Sequence, residues 1–318
     1  MANSSTVTMF LLLGFSDTWE QNIWYFILLL VVYLAALTAN FLIISAVALE
    51  QHLHTPMYFF LVNLSVLDLG SISVTIPNAM ISSLFNTWEI SYSGCVAQVY
   101  SLFFFLASDF FLLTGMAYDR YVAICDPLHY ETVMDRTVCI KMAASAWVAG
   151  LLYSGLHTGS TFAITFCANV INQFFCEISQ LLKLSCDNLY LIEIGVLVFS
   201  EFIAFSCFGL IIVSYIYIFK SVLKIPTTHG RNKAFSTCVP HLIVVSLYIS
   251  TGSFAYLKPN SQSPSDLDLV IAILYSVVPP LMNPIIYTMR NRDIKTALWK
   301  MFHCGNFSGR KARLPPSI

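Results

Sequence analysis

Seven long apolar intervals, separated by short polar segments, dominate the pattern of this chain. They cover residues 24–49, 57–80, 98–124, 142–162, 197–219, 234–257 and 269–289. Each is at least as long as the roughly 20 mostly apolar residues that a helix needs to cross a bilayer. The pattern therefore predicts an all-α membrane protein, built as a seven-transmembrane helix bundle.

A different pattern follows the seventh interval. Apolar residues recur there at positions that share one face of a helix, namely Ile294, Ala297, Leu298, Met301 and Phe302. A short helix of this kind lies on a membrane surface. The predicted organisation is a terminal segment 1–23, the bundle 24–289, a membrane-surface amphipathic helix 290–303 and a tail 304–318. Residues 1–22 lack the basic start of a cleaved signal peptide, so we expect this segment to be retained.

Composition also indicates a membrane protein. Only 10% of the 318 residues are charged, where soluble proteins have about 25%, and 57% are hydrophobic. Mean hydropathy is +0.73. The net charge of −1 gives no basic face for nucleic acid. The sequence also lacks a Gly-rich phosphate loop, HExxH and G-x-S-x-G, so it offers no support for an enzyme.

The positive charges are distributed unevenly between the two sides of the predicted bundle. Fourteen Lys and Arg residues fall on one side, and only Lys183 and Lys258 fall on the other. Because positive loops stay in the cytoplasm, the N-terminus is expected outside the cell. Asn3 begins a glycosylation sequon on that same side, which agrees with this orientation.

Two acidic residues lie in the middle of predicted spans, Asp68 in the second and Asp109 in the third. Ionisable groups inside a membrane are costly and usually functional. A hydrogen-bonded contact between helices is the structural alternative for either residue. Two acids at similar depth favour a functional role.

Several motifs occur in a specific order and spacing. They are LHTPMYFFL at 53–61, MAYDRYVAIC at 116–125, PLHY at 127–130, SY at 214–215, KAFSTC at 233–238 and PLMNPIIY at 280–287. Through them the chain resembles the seven-helix G-protein-coupled receptors, and more closely the odorant (olfactory) receptor family, along nearly its whole length.

The chain departs from the family pattern at a few positions. Ala39 and Asp109 stand where the family usually has Gly and Glu, and both replacements are conservative. Ile249 and Ser250 replace a common Tyr and Gly. That region lies beneath the ligand in family receptors, which leaves its ligand-triggered motion open.

The resemblance implies a switch near the cytoplasmic side. An ion pair between Asp119 and Arg120 would hold the resting arrangement, and release of Arg120 would accompany activation. A plain salt bridge at a helix end is the alternative. Freed Arg120 would turn toward two tyrosines while the sixth helix swings outward and opens a groove for the G protein. The implied switch residues are Asp119, Arg120, Tyr121, Tyr215, Asn283, Pro284 and Tyr287, and Asn283-Pro284 is expected to act as a hinge.

Two disulfides are expected on the oxidising outer side, the first supported by the resemblance and the second because its two cysteines remain in the same outer loop. Cys95 is expected to pair with Cys176, and Cys167 with Cys186. Five further cysteines are expected to remain thiols, namely Cys125, Cys139, Cys207, Cys238 and Cys304. For Cys304, beyond the amphipathic helix, palmitoylation is an alternative.

A ligand site is expected between helices in the outer half of the bundle. The candidate lining residues are Leu102, Phe103, Leu106, Ala107, Phe199, Phe202, Ile203, Gly252, Ser253, Tyr256 and Ser276. Amine receptors place an acid where this chain has Leu102, so a cationic amine would lack a counterion there. The seventh span lacks Lys, which excludes a retinal Schiff base. The expected ligand is a small, mostly neutral organic molecule, although any single aromatic in the set is more often a packing residue.

A last expectation concerns the interior. Family resemblance brings four residues together as one polar core, Asn40, Asp68, Asp109 and Asn283. Two nearby carboxylates repel unless a cation or shared proton intervenes, so a sodium ion is predicted and no other cofactor.

The sequence thus predicts an odorant receptor of the plasma membrane that raises cyclic AMP through a stimulatory G protein. A multispan channel or transporter without G-protein coupling is one alternative, and a non-signalling membrane scaffold is another.

Overall fold

A computed structural model describes residues 7–16, 18–186, 190–257 and 266–304 of the chain. Its helices are α1 Trp19–Leu49, α2 Pro56–Phe85, α3 Tyr92–Cys125, α4 Tyr130–Val133, α5 Arg136–Phe162, α6 Ile178–Leu182, α7 Tyr190–Lys224, α8 Thr228–Leu257, α9 Asp266–Arg290 and α10 Arg292–Cys304. A 3₁₀ turn at Gln51–Leu53 follows α1. The strands are β1 Met9–Leu12, β2 Glu89–Ser91 and β3 Val170–Ile171.

Within the described residues, seven helices are long and apolar enough to cross a membrane, as the sequence predicts. They are α1, α2, α3, α5, α7, α8 and α9. Most of these helices begin several residues before the corresponding apolar intervals. Polar residues at a bilayer surface can be helical, although the charge pattern alone would place them outside the span. Local signals set some of these ends. The Ser91 hydroxyl accepts a hydrogen bond from Gly94 N at 3.1 Å at the start of α3, and Asn86 ends α2 with φ of 52°.

A small three-stranded sheet, in the order β2-β1-β3, closes one end of the bundle. β1 pairs antiparallel with β2 and parallel with β3. The all-α prediction did not include this sheet. Phe10 of β1 is completely buried beneath it. We call this end, with β1–β3, the sheet end, and the opposite end, with α10, the α10 end.

Helix α3 runs through the middle of the bundle and packs against α2, α5, α7 and α8. One apolar cluster, which includes Leu64, Leu112 and Val244, fills the half of the bundle toward the α10 end. A second, which includes Ile72 and Phe175, lies toward the sheet end. A polar layer lies between the two clusters. A cavity lies between α3, α7 and α8.

The amphipathic helix after the seventh span is present as α10. Ile294 and Ala297 are completely buried against the bundle, while Trp299 and Phe302 are each 61% exposed. Lys300 Nζ lies 3.2 Å from the Glu50 carboxylate after α1. The helix therefore turns one apolar side to the bundle and leaves large apolar side chains for a membrane surface.

Candidate functional site

A cavity of about 380 Å³ lies between α3, α7 and α8 in the half of the bundle toward the sheet end. Its volume is in the range of small-molecule sites, and its walls are mostly apolar. Among the residues predicted to bind ligand, those that line it are Leu102, Phe103, Leu106, Ala107, Ile203 and Gly252. The α3 members share one face because they are spaced by one helical turn.

Other predicted lining residues are placed elsewhere. Phe199 and Phe202 are 55% and 70% exposed on the outer surface of α7, so the prediction for them was wrong. Lipid tails are as apolar as a protein core, and an aromatic pattern therefore does not reveal which way a membrane helix faces. Ser276 is buried outside the cavity lining and donates to the Ala272 carbonyl oxygen at 2.7 Å. The side chains of Ser253 and Tyr256 lie outside the described part.

Sequence reasoning missed most of the polar side chains that line the cavity. Two are carboxylates, Glu177 from the loop after β3 and Glu201 from α7. The lining residues with hydroxyl groups are Tyr153, Ser200, Tyr248, Thr251 and Tyr275. Glu201 lies inside the fifth apolar interval, so an intramembrane acid was a signal already present in the sequence. The position of Glu177 depends on how its loop folds, which the sequence pattern does not show.

The polar core lies between the cavity and the α10 end. Asn283 Nδ2 donates to both carboxylate oxygens of Asp68 at 3.1 Å. Tyr248 donates its hydroxyl to Asp109 Oδ2 at 2.5 Å. Because Tyr248 also lines the cavity, this hydrogen bond connects the cavity wall directly with the core.

The fourth predicted member, Asn40, supports the proline-containing seventh span. Pro284 has no N–H, so the carbonyl of Pro280, one turn earlier, loses its helical partner. Asn40 Nδ2 donates to that carbonyl at 3.0 Å and to the Ala36 carbonyl at 3.0 Å. The structure thus places Asn283 and Pro284 within a continuous α9, in which Asn40 of α1 replaces the hydrogen bond that Pro284 removes.

The predicted ion pair between Asp119 and Arg120 is absent from the described structure. Instead, the Tyr130 hydroxyl donates to Asp119 Oδ1 at 2.8 Å, and Arg120 Nη1 lies 3.4 Å from Met57 Sδ. Burial raises the pKa of Tyr130, and the Asp119 carboxylate raises it further, so the phenol remains a donor. Two neighbouring residues on one helix point in different directions, and Tyr130, in the loop helix α4, reaches the carboxylate first.

Tyr215 is held by a residue that the sequence analysis did not select. Its hydroxyl lies 2.9 Å from His241 Nδ1, and His241 Nε2 lies 2.9 Å from the Leu113 carbonyl oxygen. His241 is completely buried on α8. Its two hydrogen bonds connect α8 with α3 and α7. A lone histidine within an apolar interval was the available signal.

The remaining predicted switch residues, toward the α10 end, are Tyr121 and Tyr287. Arg120 and Tyr287 line a cavity of about 20 Å³, and Arg120 Nε and the Tyr287 hydroxyl are buried without hydrogen-bond partners in the described structure. A space of this size holds about one water molecule. The Tyr121 ring packs edge-on against Tyr217, with 6.0 Å between ring centres. Of the predicted switch residues, Tyr287 thus shares a cavity with Arg120, and the described structure has no direct bond from Arg120 to Tyr215 or Tyr287.

Both predicted disulfides are confirmed. Cys95 at the start of α3 is bonded to Cys176, with 5.6 Å between their Cα atoms. Cys167 is bonded to Cys186, with 5.3 Å between their Cα atoms. Together they fix the loop after α5, including β3, over the sheet end. The glycosylation candidate Asn3 lies outside the described residues.

Known proteins match nearly the whole chain. A family model described as olfactory receptor matches residues 29–304. Human olfactory receptor 14A16 is 49% identical over 94% of this chain and 96% of its own length, and human olfactory receptor 14C36 is 47% identical over 95% and 97%. Human olfactory receptor 14I1 is 48% identical over 95% and 97%. The chain therefore belongs to the olfactory receptor family and is an odorant-sensing G-protein-coupled receptor, a multi-pass membrane protein and not an enzyme.

Proposed function

We propose that this receptor binds a small, mostly apolar and neutral organic molecule in the cavity between α3, α7 and α8. Binding then activates a stimulatory G protein at the α10 end and raises cyclic AMP. The hydrogen bond from Tyr248 to Asp109 carries this proposal, because Tyr248 belongs to both the cavity wall and the polar core. A ligand that moves Tyr248 would disturb a buried carboxylate on α3, the helix that also carries Arg120.

The orientation is part of the proposal. The sheet end, with both disulfides, faces outside the cell, and the α10 end faces the cytoplasm. The uneven distribution of Lys and Arg supports this arrangement in the plasma membrane, and so does the preference of disulfides for oxidising compartments. Asn3 would then be available for glycosylation.

A cyclic-AMP reporter tests this function directly. Cells with confirmed surface receptor should raise cyclic AMP in response to at least one member of a diverse panel of volatile molecules. Cells without the receptor provide the background, and Gly252→Leu provides a matched variant with a filled cavity. An added Cβ at Gly252 meets no atom within 4 Å, so the larger side chain would enter open space. Absence of any receptor-dependent response across the panel would contradict the proposal.

We also propose that the polar core holds a sodium ion in the resting state. Asn40 Oδ1, Asp109 Oδ1 and Asn283 Oδ1 are buried without donors in the described structure, beside the Asp68 carboxylate. Oxygen ligands suit a hard cation, and a cation relieves repulsion between two buried carboxylates. The described residues contain no group of three or more His, Cys, Asp or Glu side chains that could hold a metal, so amide oxygens would complete the site.

Sodium titration of the odorant response tests this second proposal. Asp109→Asn removes one charge and should lower the sensitivity of signalling to sodium without changing which odorants bind. Glu89→Gln, an exposed change on β2, is the control. Equal sodium shifts in wild type and Asp109→Asn would contradict a sodium ion and favour a proton-sharing pair.

A further inference from the structure

A groove of about 600 Å³ lies on the outside of the bundle toward the α10 end, apart from the ligand cavity. It runs between the end of α1, the start of α2 and the start of α5. Its apolar lining includes Ile44, Val47, Ala48, Phe59, Val62 and Ile140. Ala48 is exposed and Ile140 is 47% exposed, so the groove opens outward, to the lipid that surrounds a membrane-spanning bundle.

The groove crosses the boundary between two membrane spans and the polar segments beside them. Its residues on α1 and most of those on α2 belong to the apolar intervals 24–49 and 57–80. Its rim includes His54, Thr55 and Arg136, which belong to the polar segments after the first and third intervals. Segments between spans lie at the bilayer surface. An occupant that fits the groove is therefore apolar at one end and polar at the other.

The fixed charge in the groove is positive. Arg136 is exposed and makes no ion pair within the described residues, and no Asp or Glu is among the residues that line the groove. The neighbouring Asp135 carboxylate caps α5 instead, by accepting a hydrogen bond from Val138 N at 2.7 Å. Glu50, after α1, is paired with Lys300 at 3.2 Å. The Arg136 guanidinium is thus available for an anion, and its planar fork matches a phosphate group.

The other polar groups of the rim also suit an occupant that accepts hydrogen bonds. The Thr55 hydroxyl is exposed at the start of α2 and does not cap that helix. It can donate to a phosphate or ester oxygen. His54 Nε2 lies 3.0 Å from the Val47 carbonyl oxygen, which holds the imidazole at the side of the groove.

We propose that this groove binds an anionic phospholipid. An acyl chain packs against Val47, Phe59 and Ile140, and the phosphate accepts hydrogen bonds from Arg136 and Thr55. A zwitterionic headgroup would bring a cation for which the groove has no acidic partner, and a sterol would offer no anion to Arg136. A free phosphate would leave the apolar wall without an occupant. The site is separate from the ligand cavity, so the inference does not depend on the proposed function.

Purified full-length receptor in lipid nanodiscs tests the inference. The discs contain phosphatidylcholine alone, or phosphatidylcholine mixed with phosphatidylglycerol of the same chain length. Both leaflets have the same composition, so the result does not depend on the orientation of the receptor. The unfolding temperature should be higher in the mixed discs. After transfer to detergent, native mass spectrometry should detect retained phosphatidylglycerol in preference to phosphatidylcholine.

A charge variant tests the headgroup contact. Arg136→Gln should reduce retained phosphatidylglycerol by about tenfold, because a charge-assisted pair of hydrogen bonds is lost. Arg136→Lys, which keeps the charge, should retain more than Arg136→Gln. Lys141→Gln is the matched control, since it removes an exposed positive charge from the same helix outside the groove. Lys141→Gln should match wild type.

A second pair of variants tests the acyl-chain contact. Ala48→Trp places a large side chain in the groove and should lower the retention of both phospholipids. Leu49→Trp is the control, at a neighbouring residue that is 69% exposed and does not line the groove. Leu49→Trp should retain lipid as wild type does.

Several outcomes would overturn the inference. Equal losses in Arg136→Gln and Lys141→Gln would assign the preference to general attraction between basic loops and anionic lipid. Wild type that retains phosphatidylcholine as well as phosphatidylglycerol would contradict an anion site. Equal stabilisation by glycerophosphoglycerol, which has the headgroup without acyl chains, would indicate a free-anion site and not a lipid site. Equal retention in Ala48→Trp and Leu49→Trp would show that no acyl chain occupies the groove.

Discussion

Single buried polar residues hold the interior of this bundle in a specific arrangement. Asn40 replaces the hydrogen bond that Pro284 removes from α9, Asn283 donates to Asp68, and Tyr248 donates to Asp109. Each polar atom that loses its partner in a buried site costs about 1–3 kcal/mol. These bonds join α1 and α2 to α9, and α8 to α3. A small movement of one of these side chains therefore changes the contacts between helices.

Tyr248→Phe tests the bond between the cavity wall and the core. The change keeps the ring and removes the donor to Asp109, so we expect a loss of about 1–3 kcal/mol in stability and altered basal signalling. The measurement is the unfolding temperature of purified receptor, together with basal cyclic AMP at matched surface level. Tyr217→Phe, at a ring that is 52% exposed, is the control. An unfolding temperature and basal signal equal to those of the control would show that the bond is unimportant.

Helix α8 is the element whose attachment matters most at the α10 end. His241 connects it to the Leu113 carbonyl of α3 and to Tyr215 of α7. Since α8 corresponds to the sixth span, whose outward movement is expected to open the G-protein groove, we expect these two bonds to oppose activation. Asp119 is held separately by Tyr130 and does not restrain α8.

His241→Leu should loosen α8 and raise basal cyclic AMP above that of wild type at matched surface expression. Two hydrogen bonds are lost together, while the apolar replacement still fills the buried site. His229→Leu, an exposed change at the start of the same helix, should behave as wild type. Basal signalling in His241→Leu that is no higher than in His229→Leu would argue against a restraining role.

The disulfide at the start of α3 attaches the loop over the sheet end to the bundle. Cys95 and Cys176 are 81 residues apart, and closing a loop of that length contributes about 4–5 kcal/mol by chain entropy. Cys95→Ser or Cys176→Ser should therefore prevent surface expression, measured by antibody staining of intact cells. Cys207→Ser, at a free thiol of α7, should leave expression unchanged. Normal surface levels of both disulfide variants would contradict this expectation.

Some elements could be predicted from the sequence and others could not. The spans follow from hydropathy, because a backbone within lipid must satisfy its own hydrogen bonds and a helix does so. The sheet at β1 was missed because its four residues pair with two loops that are distant in sequence. The orientation of α7 was also missed, since Phe199 and Phe202 are as stable against lipid as against a ligand.

The same division applies to the site. Asp68 and Asn283 could be placed together because both are polar residues deep in apolar intervals. The partner of Asp119 could not, because Tyr130 comes from a loop helix and competes with Arg120 next in sequence. Contacts that depend on loop folding or on the rotation of a helix require the three-dimensional structure.

At the scale of the whole molecule, the two ends have different constructions. The sheet end is closed by β1–β3 and two disulfides, while the α10 end carries Arg120, Tyr287 and the amphipathic helix. The proposed ligand cavity lies toward the first end and the predicted switch residues toward the second, so the proposed signalling requires communication along the bundle. A signal can pass from outside the cell to a cytoplasmic G protein only if the sheet end faces outside.

An N-terminal epitope tag tests this orientation. Because fourteen of the sixteen Lys and Arg residues fall on the opposite side, antibody should stain the tag on intact cells. A C-terminal tag should stain only after permeabilisation, which makes it the internal control. The reverse staining pattern in cells with confirmed surface receptor would overturn the orientation.

The central claim is that ligand binding and G-protein activation occur at separate sites that the bundle connects. Along α3, Arg120 lies nine residues beyond Phe111, or about 13 Å at 1.5 Å per residue, so it does not touch the cavity. The most direct measurement compares odorant binding and cyclic-AMP response side by side in wild type, Arg120→Ala and Gly252→Leu, with Gly195→Leu on the exposed surface of α7 as control. We predict that Arg120→Ala binds odorant as wild type does but gives no cyclic-AMP response, whereas Gly252→Leu loses both. A cyclic-AMP response retained in Arg120→Ala at matched surface level would contradict the account.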